Sequence, residues 1–326
     1  MNRFVTYSPA YTLVPTYECF NRCSYCNFRV NLGQSQMLTL LSAREILTQL
    51  SDSQVAEILV LSGEVPPGSK ARITWFERIY QICDLILSLG FLPHTNVGPL
   101  SWLEMKQLKQ VNVSMGLMLE QLSPRLLATA HKNSPSKDPQ LRLQQLEWSG
   151  RLRIPFTTGL LLGIGETKSD RAASLMEIAK IQKRWGHIQE VILQPHSLGE
   201  KQSLTISSFN LHELPEVVSQ AREILPESIA IQIPPNLITK PQILLDCLDA
   251  GATDLGGISP KDEVNPDYPH PNYESLKAVL KPAGWNLIPR LPVYPQYYSW
   301  LSRSLRSRVL AKEKTLNLKN KSVPLL

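Results

Sequence analysis

The sequence has no hydrophobic run long enough to cross a membrane. A membrane-spanning helix needs about 18 or more consecutive apolar residues, and no apolar run in these 326 residues approaches that length. Residues 1–5 also lack the apolar core of a signal peptide. We therefore expect a cytoplasmic protein that has no membrane partner.

Cysteine is scarce, and its distribution is uneven. The chain has five cysteines, three of which lie within eight residues. Such a pattern does not resemble the evenly spread framework of a disulfide-stabilised secreted protein. Cys83 and Cys247 fall in apolar stretches with helical spacing, so we expect both to be inert core residues.

A basic surface is absent from most of the chain, although the net charge is +6. Residues 301–326 contain seven lysines and arginines against one acidic residue, Glu313, and this excess accounts for the whole net charge. The remaining residues are electrically balanced, which argues against nucleic acid as a partner. We expect residues 301–326 to form a solvated, partly disordered basic tail that follows a domain spanning residues 1–300.

The most informative stretch of the chain is the loop at residues 16–29. Cys19, Cys23 and Cys26 lie there with the spacing C-x-x-x-C-x-x-C, so one tight loop can bring three thiolates together. A structural zinc site normally has four protein ligands, whereas three cysteines on a [4Fe–4S] cubane leave one iron open. Two alternatives remain at this point, a C-x-x-C redox dithiol and a zinc site completed by a distant histidine.

Short β-branched runs alternate with longer amphipathic stretches along the whole chain, which predicts a parallel sheet. Eight such units favour a closed (β/α)₈ barrel of the TIM type, with an open barrel of six units plus appended elements as the alternative. The predicted strands cover residues 11–16, 57–62, 91–96, 111–117, 155–162, 189–194, 229–233 and 252–256. The predicted helices cover residues 42–52, 74–89, 101–109, 123–130, 138–148, 169–185, 210–224, 242–248 and 274–280.

Ser42 and Glu45 have the spacing of a capping box, and this predicts that the first helix begins at Ser42. In a barrel, the loops that follow the strands lie on one catalytic face. The cysteine loop follows the first predicted strand, and polar or glycine-rich segments follow the others. Near this face we expect hydrogen-bonding side chains that suit a polar substrate, namely His94, Asn96, Gln194, His196, Asn236 and Ser259.

The cysteine loop, with the aromatic Tyr25 directly before the third cysteine, resembles that of the radical S-adenosylmethionine (SAM) enzymes. The resemblance implies a [4Fe–4S] cluster bound by three cysteines and an open iron chelated by the amino and carboxylate groups of SAM. It also implies a 5′-deoxyadenosyl radical formed by one-electron reduction of the sulfonium. The SAM-binding residues implied by this resemblance are Tyr25, Gly63, Glu64, Glu120 and Gly163.

Gly63 and Glu64 belong to Ser62-Gly63-Glu64, which resembles the Gly-Gly-Glu segment of that family with serine in place of the first glycine. The segment could bind the SAM ammonium, or it could be an ordinary turn. Gly163 lies in a glycine-spaced run after the fifth strand, whose backbone faces adenine in biotin-synthase-like members. Glu120 is a candidate for the polar groups of SAM, and it is equally suited to a surface ion pair.

Other segments are similar to those of a narrower group, the CofG subunits of 7,8-didemethyl-8-hydroxy-5-deazariboflavin (FO) synthase. The matching segments include residues 93–96, 116–120, 131–139, 153–159, 231–237 and 256–260. The resemblance implies a radical SAM carbon–nitrogen lyase of coenzyme F420 biosynthesis. Its substrate would be 5-amino-5-(4-hydroxybenzyl)-6-(D-ribitylimino)-5,6-dihydrouracil, made by a CofH-type partner enzyme, and a flavodoxin or ferredoxin would supply electrons.

Two other functions stay open from the sequence alone. One is a different radical SAM reaction, such as the CofH-type cleavage of tyrosine or a sulfur insertion. Sulfur insertion usually needs ligands for a second cluster, and Cys83 and Cys247 lie too far apart in apolar surroundings to supply them. The other is a non-enzymatic iron–sulfur carrier, although carriers are usually small and bind every iron through protein ligands. No residue is identified as an acid or base at this stage.

Overall fold

Eight of the nine strands in the described residues form one closed parallel barrel, and the ninth pairs with the first strand outside the ring. The computed structural model describes residues 3–51, 53–203 and 207–316. Neighbouring strands pair in the order β2-β3-β4-β5-β6-β7-β8-β1, and an additional pairing of β1 with β2 closes the ring. The strands are β1 (Arg3–Leu13), β2 (Glu57–Leu61), β3 (Leu92–Asn96), β4 (Ser114–Gly116), β5 (Phe156–Leu162), β6 (Ile188–Pro195), β7 (Ala230–Gln232), β8 (Asp254–Ile258) and β9 (Trp285–Pro289).

Helices connect successive strands, so the predicted (β/α)₈ barrel is confirmed and the open six-unit alternative is wrong. The helices are α1 (Leu40–Gln49), α2 (Lys70–Ser88), α3 (Trp102–Leu108), α4 (Pro139–Arg151), α5 (Lys168–Trp185), α6 (Leu214–Ile224), α7 (Pro241–Asp249), α8 (Tyr273–Leu280) and α9 (Arg303–Thr315). Within the described residues, no helix is long and apolar enough to cross a membrane.

The alternation of side chains along β2 shows how the barrel is built. Ile58 and Val60 are fully buried in the apolar core. Glu57, Leu59 and Leu61 point the other way and line an open cavity inside the barrel. Because successive strand residues point to opposite faces, the same short strand supplies both the packed core and the cavity wall.

The first strand is longer than the sequence indicates. We expected it at residues 11–16, but β1 begins at Arg3 and ends at Leu13. Three strands stabilise it along its length, because Arg3–Tyr7 pairs with β9, Thr6–Pro9 with β8 and Ala10–Leu13 with β2. β9 was not predicted, since its five residues carry no alternation that distinguishes them from a loop.

The predicted capping box of α1 is wrong. The N-cap is Thr39, whose hydroxyl accepts a hydrogen bond from the Ser42 amide at 3.0 Å, so Ser42 lies one turn inside the helix. The helix ends at Gln49, and Asp52, the predicted last residue, lies outside the described residues. A capping box does form at Ser101 and Glu104, at the start of α3.

Two other predicted segments differ from the structure. Residues 123–130 were expected to be helical, but only a short 3₁₀ turn, Pro124–Ala128, forms there. The strand expected at residues 111–117 is reduced to Ser114–Gly116, because a 3₁₀ turn extends α3 as far as Val111. The other elements match the predicted ones with shifts of a few residues at their ends.

Helix α9 packs against the barrel where the sequence suggested a solvated tail. Leu305 and Val309 are buried, as expected for apolar residues four positions apart on one helix face. Arg308 donates a hydrogen bond to the Leu87 carbonyl oxygen, and Lys312 lies 4.7 Å from the ring centre of Phe91. The chain is therefore helical and packed over Arg303–Thr315, residues 317–326 lie outside the described part of the chain, and the partial disorder of the tail stays a prediction. The domain boundary at residue 300 stays a prediction.

Candidate active site

The cysteine loop follows β1 and is held by backbone hydrogen bonds at both of its sides. The Phe20 amide donates to the Glu64 carbonyl at 3.1 Å, just beyond the end of β2. On the other side, the Arg22 amide donates to the Asn133 carbonyl at 3.0 Å and the Ser24 amide to the Ala130 carbonyl at 3.0 Å. The loop thus has a fixed position over the carboxyl ends of the strands.

The three loop cysteines line one cavity at this end of the barrel, which we call the cluster cavity. Its volume is about 210 Å³ and its wall includes Cys19, Cys23 and Cys26. Burial raises the pKa of Cys19 to about 11, and it also raises the pKa of Cys23. A positive metal centre is therefore needed to keep these sulfurs as thiolates.

The surroundings of the sulfurs fit an iron–sulfur cluster. The Asn21 side-chain amide lies 3.7 Å from the Cys19 sulfur and also donates to the Ser136 hydroxyl at 3.2 Å. Among the described residues, no three histidine, cysteine or acidic side chains converge on a single metal ion. A cubane does not need such convergence, since each thiolate binds a different iron.

Gly63 allows the cysteine loop to approach the end of β2. Its amide donates to the Thr16 carbonyl at 2.8 Å, and a Cβ at this position would lie 2.1 Å from the Glu18 carbonyl oxygen. Only glycine can occupy this position without displacing the loop. The close backbone approach at Gly63 is thus made by the protein's own loop, while contact with SAM stays a prediction.

Four charged side chains in the wall of the cluster cavity form two ion pairs, each of one cation with one anion. Lys137 and Glu120 lie 2.5 Å apart, and Arg142 lies 3.7 Å from Glu64. Burial raises the pKa of Glu120, but the charges of Lys137 and Arg142 outweigh burial and hold that pKa below its ordinary value. Glu120 also has a left-handed backbone with φ of +64°, which is uncommon for a non-glycine residue and typical of functional sites.

Sequence reasoning missed Lys137 and Arg142 as site residues. The Arg142 side chain is 2% exposed and donates to the carbonyl oxygens of Ser136 and Met118 at 2.7 and 2.6 Å. Lys137 lies in the segment 131–139 that resembles FO synthases, but that resemblance implied no role for Lys137 in cofactor binding. Helical spacing alone cannot distinguish a buried arginine from a solvated one.

Tyr25 and Gly163 occupy different environments. Tyr25 lines the cluster cavity, and its buried hydroxyl has no hydrogen-bond partner among the described residues. Gly163 is not part of the lining. Its amide donates to Glu166 at 2.7 Å, and the Ile164 amide donates to the same carboxylate at 2.9 Å. Because Glu166 occupies both amides, contact between Gly163 and a cofactor stays a prediction.

A second cavity, the barrel cavity, extends from the cluster cavity into the barrel interior. Its volume is about 180 Å³. The two cavities share Leu61, Asn96, Met118 and Gln194 in their walls, so they adjoin. Of the polar residues expected near the catalytic face, the barrel cavity is lined by His94, Asn96, Gln194, Asn236 and Ser259. His196 lines the cluster cavity instead, and its Nε2 lies 3.0 Å from the Gln202 side-chain oxygen.

A buried charge network forms the floor of the barrel cavity. Arg290, which directly follows β9, forms ion pairs with Glu190 and with Asp254, the latter at 2.6 Å. The Tyr294 hydroxyl donates to one of the two carboxylates, at 3.3 Å from Glu190 or 3.2 Å from Asp254. Burial raises the pKa of Glu190 to about 8, and the neighbouring Asp254 charge adds to this shift while Arg290 opposes it. Sequence reasoning missed this network, since its members come from distant parts of the chain.

Comparison with known proteins agrees with this geometry. The family model described as Radical SAM superfamily matches residues 13–194. A 7,8-didemethyl-8-hydroxy-5-deazariboflavin synthase of Trichormus variabilis is 63% identical over 304 residues, covering 93% of this chain and 89% of the relative. The enzyme of the same name from Trichodesmium erythraeum is 61% identical and covers 95% and 97% of the two chains.

The chain belongs to the FO synthase family of the radical SAM superfamily. Solved structures agree on the fold. The FeFe-hydrogenase maturase HydG from Carboxydothermus hydrogenoformans superposes with a TM-score of 0.73 at 16% identity, covering 98% of this chain and 80% of that one. Methylornithine synthase (PylB) gives 0.66 at 16% identity, with coverages of 89% and 84%. As a radical SAM protein, the chain uses a [4Fe–4S] cluster and SAM, and the zinc and dithiol alternatives are excluded.

Proposed function

We propose that this chain forms FO from 5-amino-5-(4-hydroxybenzyl)-6-(D-ribitylimino)-5,6-dihydrouracil with loss of ammonia, as a carbon–nitrogen lyase of coenzyme F420 biosynthesis. One observation carries the proposal: the cavity lined by the three cysteines opens into a barrel cavity lined by hydrogen-bonding groups. The identity of over 60% with two FO synthases supports the same assignment.

The cluster cavity would hold both cofactors. Cys19, Cys23 and Cys26 would bind the cluster, and the bound cluster and SAM would supply the radical chemistry that removes a hydrogen atom from the substrate. The adjoining protein groups hold SAM in place and exclude water, so that the reactive carbon meets only the substrate.

SAM carries an ammonium, a carboxylate and a sulfonium, and the cavity wall offers partners of both signs. Glu64 would bind the ammonium beside the Gly63 backbone, while Arg142 and Lys137 would bind the carboxylate. Glu120 would face the polar groups of the nucleoside, and Tyr25 would pack against SAM. Gly163 would approach the adenine only through backbone groups that Glu166 does not occupy.

The wall of the barrel cavity contains the ion pair of Lys261 with Glu263, and it also presents uncharged polar groups that suit a neutral substrate. The amides Asn96, Gln194 and Asn236 and the hydroxyl of Ser259 can pair with a uracil edge and a ribityl chain. The Asn236 side-chain oxygen is buried and has no hydrogen-bond partner among the described residues. Buried polar atoms are normally satisfied, so this oxygen is a candidate contact for a bound ligand.

Two protein partners complete the proposal. A CofH-type enzyme would supply the substrate 5-amino-5-(4-hydroxybenzyl)-6-(D-ribitylimino)-5,6-dihydrouracil, which we call the adduct. A flavodoxin or ferredoxin would deliver the electron for each SAM cleavage. The basic residues of α9 offer a surface for acidic electron donors, and such docking would weaken with added salt.

The decisive experiment is anaerobic incubation of the reconstituted protein with SAM, dithionite and the purified adduct. We expect FO, detected by its fluorescence and mass, together with 5′-deoxyadenosine and methionine. Free tyrosine in place of the adduct serves as the control and should not be cleaved. Tyrosine cleavage without FO formation from the adduct would identify the CofH-type activity and contradict the proposal.

A further inference from the structure

His94 projects from β3 into the barrel cavity, and its hydrogen bonds determine which of its two ring nitrogens carries the proton. The Ser114 hydroxyl lies 2.6 Å from the Pro292 carbonyl oxygen, to which it must donate because a carbonyl cannot donate. His94 Nδ1 lies 2.7 Å from the same hydroxyl oxygen. Since the hydroxyl proton is already used, Nδ1 must carry a proton and donate it to Ser114.

The opposite ring nitrogen of His94 is consequently the acceptor. Nε2 points towards Gly116, where an added Cβ would lie 2.9 Å from it. Gly116 lines the barrel cavity, as does His94 itself. The absence of a side chain at residue 116 thus leaves room beside a nitrogen that has a lone pair and no proton.

The charged groups around His94 allow a proton to be taken up and released. Burial lowers the pKa of His94, which keeps the ring neutral at pH 7. Glu57 on β2 faces the same cavity and opposes this shift, while Arg290 on the floor reinforces it. Glu190 lines the cavity from β6. A neutral imidazole next to a carboxylate is the arrangement that general bases use.

We propose that His94 is the base and acid that carries the proton during the loss of ammonia. The inference rests on the proposed function and assigns a residue to its last step. His94 Nε2 removes one proton from the ring-closed intermediate that the radical reaction forms from the adduct, and then donates it to the departing amino group. Glu57 stabilises the imidazolium that exists between the two transfers.

The step is redox-neutral, because it acts on the ring-closed intermediate of the radical reaction, which has already lost two hydrogen atoms relative to the adduct. The bond between the ring carbon and the amino nitrogen breaks, and its electron pair leaves with nitrogen. The electrons of the bond to the removed proton form the new double bond. The proton passes through Nε2 to nitrogen, ammonia is released, and His94 returns to its starting form.

The test is the His94→Gln variant, assayed with SAM, dithionite and adduct under anaerobic conditions. General acid–base catalysis typically contributes 10²–10⁴-fold, so we expect FO formation to fall by about 100-fold or more. Formation of 5′-deoxyadenosine should continue for the first turnover. A precursor that is heavier than FO by one molecule of ammonia should accumulate and be seen by mass spectrometry.

His187→Gln is the matched control, because His187 is also buried but lines neither cavity. It should keep wild-type FO formation. In His94→Ala, added imidazole should restore part of the FO formation. Near-normal FO formation by His94→Gln would overturn the inference. A parallel loss of FO and 5′-deoxyadenosine without the precursor would also overturn it, since that result indicates positioning alone. Absence of FO from the wild-type protein would instead refute the proposed function.

A second measurement does not depend on the folding of any variant. The chain has six histidines, and ¹⁵N-histidine NMR of the oxidised holoenzyme at pH 7 reports the tautomer of each ring. We expect His94 to carry its proton on Nδ1 and none on Nε2. The Ser114→Ala spectrum assigns the signal, because it removes the acceptor of Nδ1. A proton on Nε2 of His94 in the wild-type protein would overturn the inference.

Discussion

The cluster cavity and the barrel cavity adjoin, but their charged side chains are arranged differently. The cluster cavity places charges of both signs in its wall, with Glu120 beside Lys137 and Glu64 near Arg142. The barrel cavity has an ion-pair network on its floor around Arg290 and a further ion pair in its wall, Lys261 with Glu263, and its wall also presents amides and hydroxyls. A zwitterionic cofactor suits the first arrangement, and a neutral heterocycle with a polyol chain suits the second.

The two cavities also differ in how their residues lie along the chain. The three cluster ligands come from one loop of eight residues, so a change in that loop removes cluster binding as a whole. The floor joins β6, β8 and the segment after β9, so a change there acts first on the stability of the barrel. The following predictions use this difference, beginning with the largest expected effect.

Replacing Cys23 with alanine should abolish the cluster and all SAM cleavage, because two thiolates cannot hold the cubane in its open-iron form. The wild-type protein should bind about four irons per chain. Iron and sulfide analysis and a 5′-deoxyadenosine assay provide the measurements. Cys83→Ala is the control, since Cys83 is buried among apolar side chains of α2. It should keep the cluster and cost on the order of 1 kcal/mol of stability, and a full cluster in Cys23→Ala would contradict the assignment.

The difference between contiguous and distant residues explains which features could be predicted from the sequence. The cluster ligands were predictable because they are contiguous, and the barrel was predictable because strand and helix periodicities alternate along the chain. The tautomer of His94 was not predictable, since it depends on Ser114 and on the carbonyl of Pro292. Pro292 lies 178 residues after Ser114 along the chain. Similarly, the burial of Arg142 depends on contacts that its helix does not encode locally.

Replacing Arg290 with methionine should destabilise the barrel strongly. The change would leave the buried Asp254 carboxylate without its positive partner, and loss of one partner of a buried ion pair typically costs about 3–5 kcal/mol. Denaturant unfolding of the purified protein measures the change. The control is Lys168→Met, which breaks the exposed pair of Lys168 with Glu216 and should have little effect. Equal stability of the two variants would show that the floor network is not needed for stability.

Replacing Gly63 with alanine should disturb the cluster loop more than the barrel. The new Cβ would collide with the Glu18 carbonyl oxygen, so the loop must move, and overpacking of this kind typically costs about 1–3 kcal/mol. We expect reduced iron content after reconstitution, with far-UV circular dichroism unchanged. Gly68→Ala is the control. Its φ of +78° adds backbone strain, but nothing lies within 4 Å of the new Cβ, so its iron content should stay normal. Equal iron content in both variants would contradict a role for Gly63 in holding the loop.

The smallest predicted effect, measured per pH unit, is a change in how stability depends on pH. Burial raises the pKa of Glu190 from 4.5 to about 8, so between these values the folded state holds a proton that the unfolded state has lost. Stability should therefore fall as the pH rises through this window, by at most about 1.4 kcal/mol per pH unit. Glu190→Gln is neutral at every pH and leaves Arg290 paired with Asp254, so the decline should disappear. Denaturant unfolding at several pH values measures the slope, and the exposed change Glu177→Gln should not alter it. A decline that persists in Glu190→Gln would mean that another group on the floor, rather than Glu190, holds the proton.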